Sequence, residues 1–203
     1  MIKIGIIDYG VGNVTSLSKS LRYIGFKPLI SSDIKTLETT DLIFLPGVGS
    51  FNYAMEKLKI TNLDEFIIHQ SQLNRPIIGI CLGMQLLTES SEESKCEKGL
   101  CIIPGKIKKL KNSNFNIGWN NIEVCKDVNF MKKFDKHEFF FNHGYAFEGS
   151  GKYFLSKTRY NNNLFASSII KKNTIGFQFH PEKSQKVGLQ LLKSTINFLV
   201  KNK

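Results

Sequence analysis

The sequence predicts an α/β fold in which a mostly parallel sheet is flanked by helices and β-rich segments are added in the C-terminal half. Three observations favour it. The apolar runs of the first two-thirds are short and continuous rather than alternating, which is typical of parallel strands buried on both faces. Segments with helical periodicity separate these runs. From about Cys101 onward, short β-type segments replace the helices.

The first half alternates strands and helices. Residues 4–7, Ile-Gly-Ile-Ile, form a buried strand that ends in a glycine-rich loop. Val14, Leu17, Leu21 and Ile24 then fall on one face of a helix. Further strands are predicted at 27–30, 42–45 and 76–80, and further helices at 51–58 and 63–70.

The second half is β-rich until a closing helix, which carries Val187, Leu191, Leu192, Ile196 and Leu199 at helical spacing. No linker composition and no internal repeat divides the chain. Residues 1–203 are therefore expected to form a single domain. The predicted short strands are 105–110, 122–124, 138–141, 153–156, 165–170 and 174–179.

The composition narrows the classes of protein. The 203 residues are 41% apolar and 22% charged, which excludes a disordered chain, a collagen-like chain and a coiled coil. The net charge of +11 raises nucleic acid or an acidic partner surface as candidates. No basic cluster is interleaved with aromatic residues, and the basic run 106–111 is interpreted as the solvated face of a strand. We therefore expect no nucleic-acid partner.

The remaining patterns predict a cytoplasmic protein without a metal. No apolar run approaches the length of a membrane helix, and the start resembles no secretory signal. Cys81, Cys96, Cys101 and Cys125 have neither C-x-x-C spacing nor a histidine at zinc spacing. Apart from Cys81, they are interpreted as ordinary thiols in a reducing compartment.

Residues 79–83, Gly-Ile-Cys-Leu-Gly, place Cys81 where a buried strand turns directly into a helix. A nucleophile on such a tight turn is accessible, and glycines two residues to either side let neighbouring elements approach closely. A small buried cysteine between two packing glycines explains the same letters equally well. The segment alone leaves both interpretations open.

His180, Pro181 and Glu182 favour the catalytic interpretation. Side chains two apart in an extended segment point the same way, and Pro181 biases His180 toward extended geometry. Glu182 can then fix the imidazole ring while His180 takes the thiol proton. Alone, the histidine would be a hydrogen-bonded surface residue and the tripeptide a turn. Their pairing with Cys81 predicts a Cys-His-Glu triad.

Acyl transfer at such a triad also needs backbone N–H groups for the oxyanion. Leu82, directly after the nucleophile, is one candidate. Residues 46–49, Pro-Gly-Val-Gly, follow a strand expected beside the Cys81 strand, so this loop is a second candidate. An ordinary turn explains the loop equally well when it is taken alone.

Together, residues 79–85, 46–49 and 180–184 resemble the class I, triad-type glutamine amidotransferases. Within that family, residues 8–13 and 118–120 are also similar to glutaminase subunits that serve histidine biosynthesis. The resemblance covers essentially the whole chain in the same order. It implies a flavodoxin-like fold, one amidotransferase domain, no cofactor and a heterodimer with a (β/α)₈-barrel cyclase subunit that receives ammonia.

The resemblance also implies a role for each matched residue. Cys81 attacks the side-chain amide of glutamine, His180 passes the proton to the leaving ammonia, and Glu182 holds His180. The intermediate is a γ-glutamyl thioester, which water hydrolyses to glutamate. The other implied roles are oxyanion amides at Val48 and Leu82, glutamine contacts at Gly49, Gln85, Gly144 and Tyr145, and a docking face at Asn13, Trp119 and Lys183.

The sequence departs from the histidine-pathway pattern at two places. Phe115, Asn116 and Ile117 replace the usual Pro-His-Met, and residues 142–146, Asn-His-Gly-Tyr-Ala, replace the usual Val-His-Ser-Tyr. The second segment resembles the glutamine pocket of carbamoyl-phosphate synthetase small subunits, so glutaminase chemistry is still expected. An alternative partner is a synthase that makes amidino groups on bacterial surface sugars.

His143 is interpreted as packing or hydrogen-bonding beside the site. Without the resemblance, Trp119 would be interpreted as a core aromatic and Lys183 as a solvated charge.

Overall fold

The computed structural model describes residues 2–94, 98–111 and 115–201. Two 3₁₀ turns lie at Gly151–Tyr153 and Pro181–Lys183. In chain order the other elements are β1 (Ile4–Ile7), α1 (Val14–Tyr23), β2 (Pro28–Ser31), α2 (Ile34–Glu38), β3 (Leu42–Gly47), α3 (Phe51–Ile60), α4 (Leu63–Gln72), β4 (Ile77–Cys81), α5 (Leu82–Leu86), β5 (Ser90–Ser91), β6 (Lys106–Lys109), β7 (Asn116–Asn121), β8 (Glu123–Val124), α6 (Asn129–Lys132), β9 (Glu138–His143), β10 (Tyr145–Glu148), β11 (Phe154–Tyr160), β12 (Asn163–Lys171), β13 (Thr174–Phe177) and α7 (Gln185–Lys201).

One sheet organises these elements in the order β2-β1-β3-β4-β13-β12-β10-β6-β5, with β11 and β8 extending it beside β12. From β2 to β13 all neighbours are parallel, and β12 then pairs antiparallel with β13. The predicted α/β class with a mostly parallel core and β-rich additions is confirmed. A separate antiparallel pair, β7–β9, packs outside this sheet.

The parallel strands β1, β3, β4 and β13 are buried on both faces, whereas the edge strand β2 is partly exposed. On β3, Leu42 and Phe44 enter the core under α1 and α7, whereas Ile43 and Leu45 enter the core under α3, α4 and α5. Strands covered on both sides need apolar residues at every position, which explains the continuous apolar runs. The side chains at these positions are completely buried, so the sheet is a rigid base for the loops at its edge.

The parallel order brings three strand ends to one edge of the sheet. Cys81 at the end of β4 is in register with Gly47 on β3, and Phe177 at the end of β13 is in register with Ile80 on β4. Because parallel strands all point the same way, the loops after β3, β4 and β13 converge there. Those loops contain residues 46–49, Cys81 and His180.

Several elements differ from the sequence predictions. Strand β3 continues through Pro46, which needs no N–H partner at that strand end. The strands β5, β7 and β10 were not predicted. In β7, four of the six residues are Asn or Gly, which are uncommon in strands. The short helices α2 and α6 were missed as well, because four or five residues give no helical periodicity.

Candidate active site

Cys81 lies at the turn between β4 and α5. Its backbone has φ 54° and ψ −111°, a conformation that residues with a side chain rarely adopt. Strained turns of this kind at the end of a central strand present a nucleophile at the edge of the sheet. The predicted turn from strand to helix is confirmed, and the strained residue is the predicted nucleophile.

Glycines around this turn allow the elements to pack at backbone distance. A Cβ at Gly83 would lie 1.8 Å from the carbonyl oxygen of Leu45, and one at Gly47 would lie 2.9 Å from the Gly83 nitrogen. A Cβ at Gly79 would lie 2.7 Å from the Gly83 oxygen. Since none of these positions has room for a side chain, the close approach predicted from the glycine spacing is confirmed. The loop at 46–49 is thereby held directly beside Cys81.

His180 and Glu182 form a buried pair after β13. Nδ1 of His180 is 2.8 Å from Oε1 of Glu182, and their side chains are only 2% and 3% exposed. His180 is extended, as the following proline predicts, but Glu182 lies in the 3₁₀ turn Pro181–Lys183. The prediction of a continuous extended segment is therefore wrong, although the turn still brings the carboxylate to the ring. The backbone N–H of His180 donates to the Phe140 carbonyl on β9 at 2.8 Å.

The other imidazole nitrogen of His180 faces the cysteine side of the site. Burial alone lowers the pKa of His180, but the interactions with the Cys81 side chain and with the Glu182 carboxylate outweigh burial and raise this pKa to about 10. Within the described residues, neither His180 Nε2 nor Glu182 Oε2 has a hydrogen-bond partner. The Cys81 sulfur contacts the Asn142 carbonyl at 3.8 Å and the Gln178 amide nitrogen at 3.9 Å.

A cavity of about 290 Å³ opens above Cys81. Glu182 is not part of its lining and lies behind His180, where it borders a second, much smaller cavity. The larger cavity has the size and the convergent polar groups of a small-ligand site. The residues predicted as nucleophile, base, oxyanion donors and glutamine contacts line it together: Val48, Gly49, Cys81, Leu82, Gln85, Gly144, Tyr145 and His180.

Gln85 forms part of the cavity wall. Its Nε2 donates to the Tyr145 carbonyl and to Gln178 Oε1, both at 3.1 Å. Both amide hydrogens are therefore used inside the protein, so a ligand would meet the carbonyl oxygen of Gln85. Gln178 was missed from the sequence, although its position two residues before His180 on an extended segment was a usable signal.

Glu93 is a second residue that the sequence did not reveal. It lines the cavity, and its Oε2 accepts a hydrogen bond from the Phe51 N–H at 2.9 Å. It therefore caps helix α3, whose own Ser50 forms no side-chain cap. The local sequence Ser-Glu-Glu-Ser carries no signal for this role, because the contact joins residues 42 positions apart.

The three residues implied as a docking face lie outside the cavity lining. Asn13 caps α1 by accepting from the Ser16 N–H at 3.1 Å, and it borders the smaller cavity. Trp119 is 42% exposed, so it is not a core aromatic. Its ring meets Phe140 edge-on at 6.1 Å, and the Lys183 ammonium lies 6.0 Å from the same Phe140 ring.

The other cysteines take no part in this site. Cys101 and Cys125 are exposed free thiols, and Cys96 lies outside the described residues. Over residues 2–94, 98–111 and 115–201, no group of His, Cys, Asp and Glu side chains is arranged to hold a metal ion. In the same part of the chain, none of the helices is long and apolar enough to cross a membrane.

Comparison with known proteins gives the class to which this site belongs. The family model described as glutamine amidotransferase class-I matches residues 5–197. The chain therefore belongs to the class-I glutamine amidotransferase family and is an enzyme of that family. Two solved structures share the fold, and their low sequence identities show the fold alone. One is a glutamine amidotransferase with 13% identity and a TM-score of 0.79, covering 98% of each chain. The other is PurLQS from Thermotoga maritima with 20% identity and a TM-score of 0.71, covering 98% of this chain and 99% of that one.

Curated relatives narrow the similarity within the family. The chain is 38% identical over 200 residues to the imidazole glycerol phosphate synthase subunit HisH of Archaeoglobus fulgidus, covering 97% of this chain and 98% of that protein. It is 40% identical over 195 residues to HisH of Caldanaerobacter subterraneus, covering 94% and 96%. The resemblance inferred from the motifs is confirmed.

Proposed function

We propose that this chain is the glutaminase subunit of an imidazole glycerol phosphate synthase. It hydrolyses glutamine to glutamate and channels the ammonia to a HisF-type (β/α)₈-barrel cyclase in histidine biosynthesis. One observation carries the proposal: His180, which is hydrogen-bonded to Glu182, and the strained Cys81 line the same cavity. Similarity to HisH over nearly the full length favours this pathway over the synthases of surface sugars.

The proposed reaction uses the triad in two steps. The Cys81 sulfur attacks the side-chain amide carbon of glutamine, and protonated His180 gives its Nε2 proton to the departing nitrogen as the C–N bond breaks. Ammonia leaves and a γ-glutamyl thioester remains. His180 then accepts a proton from water, which attacks the thioester and releases glutamate and the cysteine sulfur. Glu182 holds His180 at Nδ1 throughout, so the unpartnered Nε2 is the atom that exchanges protons.

The proposed oxyanion donors are the backbone N–H groups of Val48 and Leu82. Leu82 is the first residue of α5, whose early N–H groups have no partner within the helix. Val48 follows Gly47, which is in register with Cys81 on the neighbouring strand. Both residues line the cavity beside the sulfur, where donors would stabilise a tetrahedral intermediate.

The proposed glutamine contacts are Gly49, Gln85, Gly144 and Tyr145, and we add Glu93. A glutamine in the cavity carries a positive α-ammonium group, which needs a negative or carbonyl acceptor. Glu93 brings a carboxylate to the cavity wall, and Gln85 presents a carbonyl oxygen there. Charge-assisted hydrogen bonds of this kind fix orientation more strongly than neutral ones.

We also propose that Asn13, Trp119 and Lys183 face the cyclase partner in a heterodimer. The exposed face of β7 supports this, because Ile117 is 64% exposed beside the half-exposed Trp119, and apolar exposure of this kind is typical of interaction surfaces.

Residues 1–203 are proposed to act as one domain, since a single sheet joins elements from β1 to β13. This function places the protein in the cytoplasm, with no nucleic-acid or membrane partner.

The experiment measures glutamate release from glutamine with and without HisF of the same organism and its nucleotide substrate. We expect strong stimulation by the partner, loss of activity in Cys81→Ala, and full activity in Cys125→Ala, which removes an exposed thiol far from the cavity lining. Stimulation only by another ammonia-using synthase would assign the chain to that pathway. Hydrolysis that survives Cys81→Ala would overturn the proposed chemistry.

A further inference from the structure

A buried chain of polar side chains runs from strand β7 to the cysteine. Asn120 donates to Asn116 Oδ1 at 2.9 Å, and Asn116 Nδ2 lies 3.2 Å from His143 Nε2. His143 Nδ1 lies 2.8 Å from the Tyr145 carbonyl, which also receives the amide of Gln85. Gln85 continues to Gln178, and Gln178 reaches the Cys81 sulfur.

The partners of His143 define its tautomer. A carbonyl oxygen only accepts, so Nδ1 must carry the hydrogen that it donates to Tyr145. Nε2 is then the acceptor, and it receives the amide hydrogen of Asn116. The orientation of that amide is consistent, because its oxygen accepts from Asn120. A hydrogen on Nε2 would instead face another donor.

The surroundings keep the ring neutral and fixed. His143 is 4% exposed, Asn116 is completely buried, and the imidazole ring packs between Phe141 and Phe165 at centroid distances of 5.7 Å and 5.1 Å. Burial lowers the pKa of His143 to about 4, with the hydrogen bond to Tyr145 opposing and nearby His180 adding to the shift. His143 is therefore neutral near neutral pH, and both of its ring nitrogens are engaged inside the protein, by the Tyr145 carbonyl and the Asn116 amide.

We propose that His143 is a positioning residue for the glutamine pocket, held in one tautomer by Asn116 so that it fixes the backbone at Gly144 and Tyr145. This inference rests on the proposed glutaminase function. The Tyr145 carbonyl is fixed from two sides, by His143 and by Gln85, and the Gly144–Tyr145 segment lines the cavity. Without the imidazole donor, the Tyr145 carbonyl loses one of these two side-chain contacts.

A matched pair of substitutions separates positioning from general packing. The side-chain amide nitrogen of an asparagine takes the position of histidine Nδ1, whereas the side-chain amide of a glutamine reaches the position of Nε2. His143→Asn thus keeps the donor to Tyr145, and His143→Gln keeps the contact to Asn116 but loses that donor. A second pair compares Asn116→Leu, which breaks the chain, with Asn197→Leu, which changes an exposed asparagine on α7.

The assay alkylates Cys81 in the complex with the cyclase partner, using two probes. The glutamine analogue 6-diazo-5-oxo-L-norleucine needs the pocket and forms a thioether with loss of N₂, whereas iodoacetamide needs only the sulfur and loses iodide. We expect His143→Gln and Asn116→Leu to lower the rate with the analogue about tenfold. Iodoacetamide should react within about twofold of wild type, and the KM for glutamine should rise more than kcat falls.

The pattern among variants decides the outcome. His143→Asn and Asn197→Leu should stay close to wild type with both probes. Equal losses in His143→Asn and His143→Gln, or parallel losses with both probes, would overturn the positioning role. A wild-type complex that neither hydrolyses glutamine nor reacts with the analogue would instead refute the proposed function itself. Thermal unfolding of each variant identifies any that fail to fold, and the remaining pair still tests the inference.

Discussion

Substituting Gly83 by alanine tests whether backbone contact between β3 and α5 builds the active site. The new Cβ would lie 1.8 Å from the Leu45 carbonyl oxygen, and contacts below 3.0 Å essentially never occur, so the two elements must separate by more than about 1 Å. The obstacle is backbone rather than a flexible side chain, so no change of rotamer relieves it. Overpacking of this severity costs about 3 kcal/mol or more.

The displacement reaches both halves of the site. Strand β3 leads into residues 46–49, and α5 starts directly after Cys81. A misplacement of about 1 Å between reacting groups lowers a rate roughly a hundredfold. For a chain of this length, a loss of about 3 kcal/mol lowers the midpoint of thermal unfolding by roughly 6–12 °C. We therefore expect Gly83→Ala to lower both the unfolding midpoint and glutamine hydrolysis.

The measurement combines thermal unfolding with glutamine hydrolysis in the complex with the partner. Gly151→Ala is the matched control, because a Cβ there meets no atom within 4 Å. That variant should unfold within about 0.5 kcal/mol of wild type and keep full activity. If Gly83→Ala matches the control in both measurements, the close packing of β3 and α5 is not what holds the site.

Three further predictions concern charges and hydrogen bonds around the site. Glu182→Gln removes an interaction that, after those with Cys81, helps to raise the pKa of His180 to about 10, above its ordinary 6.5. The stabilisation that Glu182 provides is complete below about pH 6.5 and is lost as pH rises through 10. The unfolding free energies of variant and wild type, followed in urea, should therefore converge at high pH. Glu93→Gln should raise the KM for glutamine about tenfold with little change in kcat, and an unchanged KM would contradict the assigned α-ammonium contact. Tyr9→Phe leaves the buried Pro46 carbonyl without its 2.8 Å hydrogen bond and should cost about 1 kcal/mol, detectable as a fall of roughly 2–4 °C in the unfolding midpoint.

Local sequence patterns were sufficient for the core of the fold. The strands β1, β3 and β4 were predicted because burial on both faces demands an uninterrupted apolar run at each of them. The turn at Cys81 was predicted for a related reason, since glycine at 83 leaves the space that β3 needs and glycine at 79 leaves the space that the α5 segment needs. Both patterns depend only on residues that are close together in the sequence, so they can be recognised without knowing the tertiary contacts.

The side-chain contacts around the cavity could not be predicted in the same way. Glu93 caps a helix that begins 42 residues earlier, and Asn116 meets His143 across two antiparallel strands. Such contacts follow from the register of β7 on β9, in which Asn116 is opposite His143. That register has no hydrophobic pattern to define it, because β7 exposes apolar side chains and buries an asparagine.

The β7–β9 pair connects the outer surface to the triad through the backbone as well. The Phe140 carbonyl accepts the His180 N–H at 2.8 Å, and the Phe140 N–H donates to Ser184 Oγ, whose own hydroxyl donates to the His180 carbonyl. Phe140 is opposite Trp119 in the β7–β9 register. A shift of β9 would therefore change the backbone position of His180, and not only the shape of the pocket wall. The surface proposed to meet the cyclase is thus mechanically joined to His180, the proposed proton donor to the departing nitrogen, which is the arrangement a glutaminase needs if hydrolysis is to depend on its partner.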